Sequence, residues 1–252
     1  MATTNPSHAV PRGWTADAGE TTNRWSDIWR PATVSRLAGL CALAQVAIAF
    51  VPLGGNYHAD LPAAQVVTWA SQHQQAIWAD GFLSGLSNTL FALQLVLLVA
   101  LTMNRGILAS IARVGAAAAL ATGWAKVGIE YALADLAHRG GADAGVLALF
   151  SLVKTMDYTD GMSIGLAIAA VSVLLLRRQA LPRPVLWLGL LLAAELIAAM
   201  PIQLAVMGTG NGPQGPLSVV LGLLWLLVIG IVLLVKPVRL PEAASADVQT
   251  AA

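Results

Sequence analysis

Charge is scarce in this sequence, and so are cysteine and lysine. Only 11% of the 252 residues are charged, against about 25% in an ordinary soluble domain. That leaves too little polar surface to coat a water-soluble fold of this length. The single cysteine, Cys41, excludes an intrachain disulfide and any zinc site built from cysteines. Lysine is confined to Lys126, Lys154 and Lys236. With 14 basic and 13 acidic residues the net charge is +1, so no electrostatic footprint for nucleic acid exists. Also missing are a Gly-rich phosphate loop, a serine nucleophile elbow and an HExxH helix. No motif names a reaction: whether the chain is an enzyme stays open, and no cofactor is expected.

What the sequence has is apolar length. Hydrophobic residues make up 57% of it, and the mean hydropathy is +0.71. The expected fold class is all-α, a polytopic transmembrane helical bundle with the lipid bilayer as its first partner. Heavy use of Ala and Arg fits a GC-rich bacterial genome. Residues 1–35 are polar and carry Pro6, Pro11, Pro31, Gly13 and Gly19, which suits a disordered tail. The apolar stretch starts at Leu37, later than in a cleaved secretory signal, so an uncleaved anchor is expected. Residues 240–252 read as a second tail, leaving 36–239 as the membrane domain.

A span needs about 20 mostly apolar residues. Six segments qualify, at about 37–53, 82–103, 107–131, 161–176, 184–206 and 216–235. With the N-terminus in the cytoplasm, the inner segments hold Arg12, Arg24, Arg30, Arg36, Arg105, Arg113, Arg177, Arg178, Arg183, Lys236 and Arg239. The outer segments hold only Arg139 and Lys154, with Lys126 on the third span. The positive-inside rule therefore favours six spans in the plasma membrane, both termini cytoplasmic.

Two outer segments are too long for simple connections. Leu61 to Ala79 places Ala63, Val66, Val67, Ala70 and Ile77 on one helical arc, with Gln65, Thr68, Gln72 and Gln75 opposite. Asp60 suits its N-cap, Pro62 its first turn, and Trp69 and Trp78 an interfacial anchor. Ala144 to Met156, opened by Asp143, has 13 residues and is too short to span. Two amphipathic outer-face helices, together a lid, are expected.

Helix rise places the polar residues by depth. Glu195 lies 11 residues past Pro184, roughly 16 Å into a core about 30 Å thick. Gln94, entering from the other side, reaches a similar depth, and Gln45 lies about 12 Å in. Three polar side chains on three spans thus fall in one slab. A charged acid at mid-helix costs about 2.5–3.5 kcal/mol, so Glu195 must be buried in the bundle, paired or protonated. The same slab reads equally as interhelical glue, at about 0.6 kcal/mol per polar contact. Ser84, Ser87, Asn88 and Gln94 form a stripe on the second span that lines a polar path or packs closely. The ligand-binding candidates are Glu195, Gln94, Gln45 and Asn88.

At the outer boundary Lys126 and Glu130, then Asp135 and Arg139, are spaced for ion pairs along one helix. Asp157 and Asp160 flank Tyr158 just before the fourth span. Lys126, Glu130, Asp135, Asp157 and Asp160 are the candidates for the mouth of the path. Asp60, Asp80 and Asp143 with His58, His73 and His138 share that side, but no pair has metal-ligand spacing and no metal is expected. Pro201 suits a kink in the fifth span.

The layout resembles a family of bacterial six-span membrane proteins of unknown function. The likeness covers about Val34 to Val235: Arg36 opening the first span, the outer helix of Val66 to Ile77, and the uncharged second span entered through Asp80 and Gly81. It extends to the long third helix and the exit at Arg177 and Arg178. It implies a plasma-membrane location and carries over no functional residue. Three functions stay open. One is binding or transport of a small or lipid-like molecule in a midplane pocket. Another is a lipid or isoprenoid enzyme, resembling membrane-embedded terpene cyclases, with Glu195 and Asp157 or Asp160 as acids. The third is a non-catalytic component that binds a protein partner.

Overall fold

The computed structural model describes residues 30–51, 63–102, 106–207 and 216–238, and of residues 63, 64, 158, 200–207 and 216 the backbone alone. Residues 1–29 of the expected N-terminal tail (1–35), the second tail at 240–252, His58, Asp60, Pro62, the Gly208–Gly212 turn and the Pro201 side chain lie outside the described residues, while residues 31–35 of that tail are helical.

The described residues fold as helices and contain no strand. In chain order they are α1 (Pro31–Ala49), α2 (Ala63–Gln72), α3 (Gln74–Leu101), α4 (Ile107–His138), α5 (Asp143–Arg178), α6 (Arg183–Met207) and α7 (Pro216–Val235). Five of them, α1, α3, α4, α5 and α7, are long and apolar enough to cross a membrane. The fifth segment expected to span, 184–206, lies within α6.

Boundaries differ from the sequence expectation where no residue stops a helix. The segment 61–79 is not one helix. It breaks at His73, whose backbone leaves helical geometry at φ −116°, and Gln74 onward belongs to the helix that continues to Leu101. Likewise Ala144–Met156 is not separate but the first third of α5, because nothing between Asp143 and Arg178 interrupts the backbone ladder. α1 starts at Pro31, whose missing N–H costs nothing in a first turn. α4 ends where Gly140 takes a positive φ of 70° and the Gly141 N–H bonds back to the Leu136 carbonyl.

The helices close a ring: α1 packs on α3, α3 on α4, α4 on α5, α5 on α6, α6 on α7, and α7 back on α1. Small residues permit the closest crossings. A Cβ at Gly39 of α1 would lie 2.9 Å from the Gly230 carbonyl of α7, and one at Gly115 of α4 only 2.8 Å from the Ala167 Cβ of α5. The main core fills with Ala38, Leu95, Leu98, Ala112, Leu174, Leu175, Ile229 and Leu233. The outer circumference is apolar too, with Leu40, Val114, Trp187, Leu191 and Val220 exposed, as suits a lipid-facing surface.

α4 and α5 are the long elements, about 48 Å and about 54 Å at 1.5 Å per residue. Both outrun a hydrocarbon core of about 30 Å. Their far ends project past the ring together, and α2 docks there. Val66, Ala70 and Ile77 bury against Leu133, Ala134, Ala137, Val146 and Phe150 in a second, smaller core. Trp69 stacks on His73 with ring centroids 5.3 Å apart, while Trp78 remains exposed beside Tyr131.

Candidate functional site

Helices of the ring border a cavity of about 210 Å³ that opens to the surface. Its walls come from five helices: Gln45 on α1, Ser87, Asn88 and Phe91 on α3, Ile164 and Ile168 on α5, Leu192 and Leu196 on α6, and Ser218, Val219, Gly222, Trp225 and Leu226 on α7. Val219 is 54% exposed, so the cavity reaches the apolar circumference at α7.

Two polar pairs stand at this cavity. Gln45 donates to the Gln94 carbonyl oxygen at 2.8 Å and to the Cys41 backbone carbonyl at 3.1 Å. Gln94 is fully buried, and its amide nitrogen has no hydrogen-bond partner. Across the ring the Ser218 hydroxyl donates to Glu195 Oε1 at 3.0 Å, while Glu195 Oε2 is buried and unpartnered. Glu195 is not itself a wall residue: Leu192, Leu196 and Ser218 stand around it. The structure thus joins Gln45 to Gln94 and sets Glu195 against α7, instead of gathering all three side chains into one contact.

A second polar group lies where α3, α4 and α5 leave the apolar layer. Lys126 pairs with Asp157 at 2.5 Å and with Glu130 at 3.6 Å. Asp160 accepts from the Thr122 hydroxyl at 2.6 Å and from the Asn88 amide at 3.5 Å. Glu130 is 3% exposed, and its Oε2 has no hydrogen-bond partner. Asn88 reaches both groups, because its side chain lies over Gly123, where any Cβ would collide with it. Of the mouth candidates, Lys126, Glu130, Asp157 and Asp160 come together. Asp135 does not: it pairs with Arg139 at 2.9 Å on the exposed face of α4.

Three participants went unnoticed in the sequence. Ser218 and Thr122 are single hydroxyls in apolar helices and carry no distinguishing pattern. Trp225 did carry a signal. It lies nine residues into α7, too deep for an interfacial belt, and is 1% exposed with its indole N–H unpartnered. A Cβ at Gly189 would lie 2.5 Å from the Ser172 hydroxyl and 2.7 Å from that indole nitrogen, so only glycine leaves the two polar atoms their room.

The chain matches no family model, no curated protein and no solved structure. The resemblance to bacterial six-span proteins therefore rests on layout. No group of three or more His, Cys, Asp or Glu among the described residues has the geometry of a metal site. Chemically, the cavity offers apolar walls with a few amide and hydroxyl groups, which suits a small molecule with one polar end.

Proposed function

We propose that the protein is a six-span plasma-membrane protein, both termini cytoplasmic, that binds a small or lipid-like molecule in the cavity between α1, α3, α5, α6 and α7. The observation that carries this reading is the cavity itself: about 210 Å³, the share of roughly seven waters in the liquid. Phe91, Ile168, Leu192 and Leu226 would hold an apolar segment, while Gln45, Asn88 and Ser218 would orient a polar end. A whole lipid exceeds this volume, so one end or one chain enters, by way of the exposed edge at Val219. Transport would add movement of the same molecule between the membrane faces.

A catalytic reading needs a carboxyl group in contact with the bound molecule. Among the described lining residues there is none, and Glu195 meets the cavity through Ser218. Asp157 and Asp160 belong to the other polar group. Binding is therefore the better-supported function.

The test is mass spectrometry of what co-purifies with the detergent-extracted protein, comparing wild type with Gly222→Leu and Glu195→Gln. Gly222 lines the cavity and a Cβ there would meet no atom within 4 Å, so the backbone admits a side chain at this position. We expect a molecule in the wild type that is lost from Gly222→Leu at unchanged melting temperature. Bulk lipid alone, identical in all three preparations, would overturn the reading.

A further inference from the structure

We infer that the buried charge group at α3, α4 and α5 is a proton-binding site with Glu130 as its seat, adjoining the cavity through Asn88. It is separate from the proposed binding of a lipid-like molecule and is tested without one.

The argument begins with charge. Glu130 is 3% exposed and sits on α4 one turn from Lys126. Facing it are Asp80 from α3, which acts on it through space, and Asp157 from α5. Asp160 of α5 completes the group on the side of Asn88. His73, at the junction of α2 and α3, is turned to the Trp69 carbonyl. The Lys126 ammonium acts on all four carboxyl groups. Like charges at such range in a poorly hydrated place do not all ionise together, and one proton relieves the excess.

Geometry selects the carboxyl that takes it. Asp157 holds the Lys126 ammonium at 2.5 Å and is 37% exposed, so water and lysine together support its charge. Asp160 has the Thr122 hydroxyl on one oxygen and the Asn88 amide on the other. Glu130 has the ammonium only at 3.6 Å on Oε1, and nothing bonds Oε2. Oε2 points at Gly81, where a Cβ would stand 3.0 Å away, so the glycine leaves room for it. The proton goes on Oε2. Because Asn88 touches both Asp160 and the cavity, loading of the cavity and of the proton site act on one amide.

Infrared difference spectroscopy on the full chain in phosphatidylcholine vesicles tests this. Spectra are compared between about pH 6 and about pH 9, above the range near 4.3 where an unperturbed glutamate titrates. We expect a protonated carboxyl band at the lower pH that shifts when glutamate carboxyls carry carbon-13, persists in Glu195→Gln and is lost in Glu130→Gln. Asp80→Asn, which removes a like charge, moves the band's midpoint to lower pH. The label assigns the band to a glutamate and its persistence in Glu195→Gln sets that residue aside, so the assignment does not rest on the Glu130→Gln variant alone. No glutamate band, or one that vanishes in Glu195→Gln, overturns the inference while leaving the cavity reading intact.

Discussion

Asn88 of α3 reaches Asp160 of α5 by lying across the bare backbone of Gly123 on α4, the amide nitrogen 3.5 Å from the carboxylate. Three helices therefore meet at one glycine. Gly123→Ala should push Asn88 aside. Alanine favours a helix by about 0.8–1.0 kcal/mol, but crowding of this kind costs about 1–3 kcal/mol, so a net loss of stability is expected. In Asn88→Ala with Gly123→Ala the clash disappears, and the double variant should be at least as stable as Asn88→Ala alone. Unfolding in mixed detergent measures all three. An unchanged Gly123→Ala protein would mean that Asn88 does not rest there.

The Gln45–Gln94 bond joins α1 to α3 in the core. Replacing either glutamine by leucine leaves the other amide buried without its partner, a loss of about 1–3 kcal/mol. Replacing both removes the need for the bond, so the double variant should recover part of that loss. The coupling energy from the cycle should fall near 0.6 kcal/mol and below about 1.7 kcal/mol, the range for polar contacts between membrane helices. Strict additivity would show that the two side chains do not interact.

The long apolar segments were legible in the sequence because a membrane span depends on residue count and the absence of charge, both local properties. The ends of α3 and α5 were not. The sequence reading placed separate outer-face helices at Leu61–Ala79 and Ala144–Met156. At Lys154–Asp157 the helix changes polarity without ending, with no proline to stop it, whereas at Gln72–Gln75 the break is real and falls at His73, inside the segment read as one helix. Depth arithmetic put Gln45 and Gln94 at similar levels, and they bond. It could not say which face of each helix turned inward, so it grouped Glu195 with them when the partner is Ser218. Spacing along α4 linked Lys126 to Glu130, but the nearer partner, Asp157, lies on another helix and leaves no trace in the spacing.

Two ion pairs on α4 should differ sharply in what their loss costs. Lys126→Met leaves Glu130 buried without a counter-charge. Removing one member of a buried pair costs about 3–5 kcal/mol, and the 37% exposure of Asp157 argues for the lower end. The loss should deepen as pH rises, because the stranded carboxylates then ionise. Arg139→Ala breaks only the exposed pair with Asp135, and a change below about 1 kcal/mol is expected. Melting temperatures across a pH series compare the two, and equal effects would contradict the burial difference.

The α1–α7 contact that closes the ring offers the last contrast. A side chain on Gly39 would stand 2.9 Å from the Gly230 backbone carbonyl and 3.1 Å from Leu234, and backbone cannot turn away as a side-chain tip can. Gly39→Val should therefore separate the two helices and destabilise by about 1–3 kcal/mol. Gly128 on α4 has nothing within 4 Å of a Cβ, so Gly128→Ala should be neutral or gain some of the helix preference for alanine. The same pair of variants separates local from ring-wide effects if cysteines placed on exposed Leu40 of α1 and Leu227 of α7 carry spin labels. In Gly39→Val the distance between them should lengthen, and in Gly128→Ala it should not. A ring opened at this seam would also widen the cavity, since Gln45 and Gly222 belong to the same two helices. Loss of the co-purified molecule in Gly39→Val, with its retention in Gly128→Ala, would then tie closure of the ring to binding.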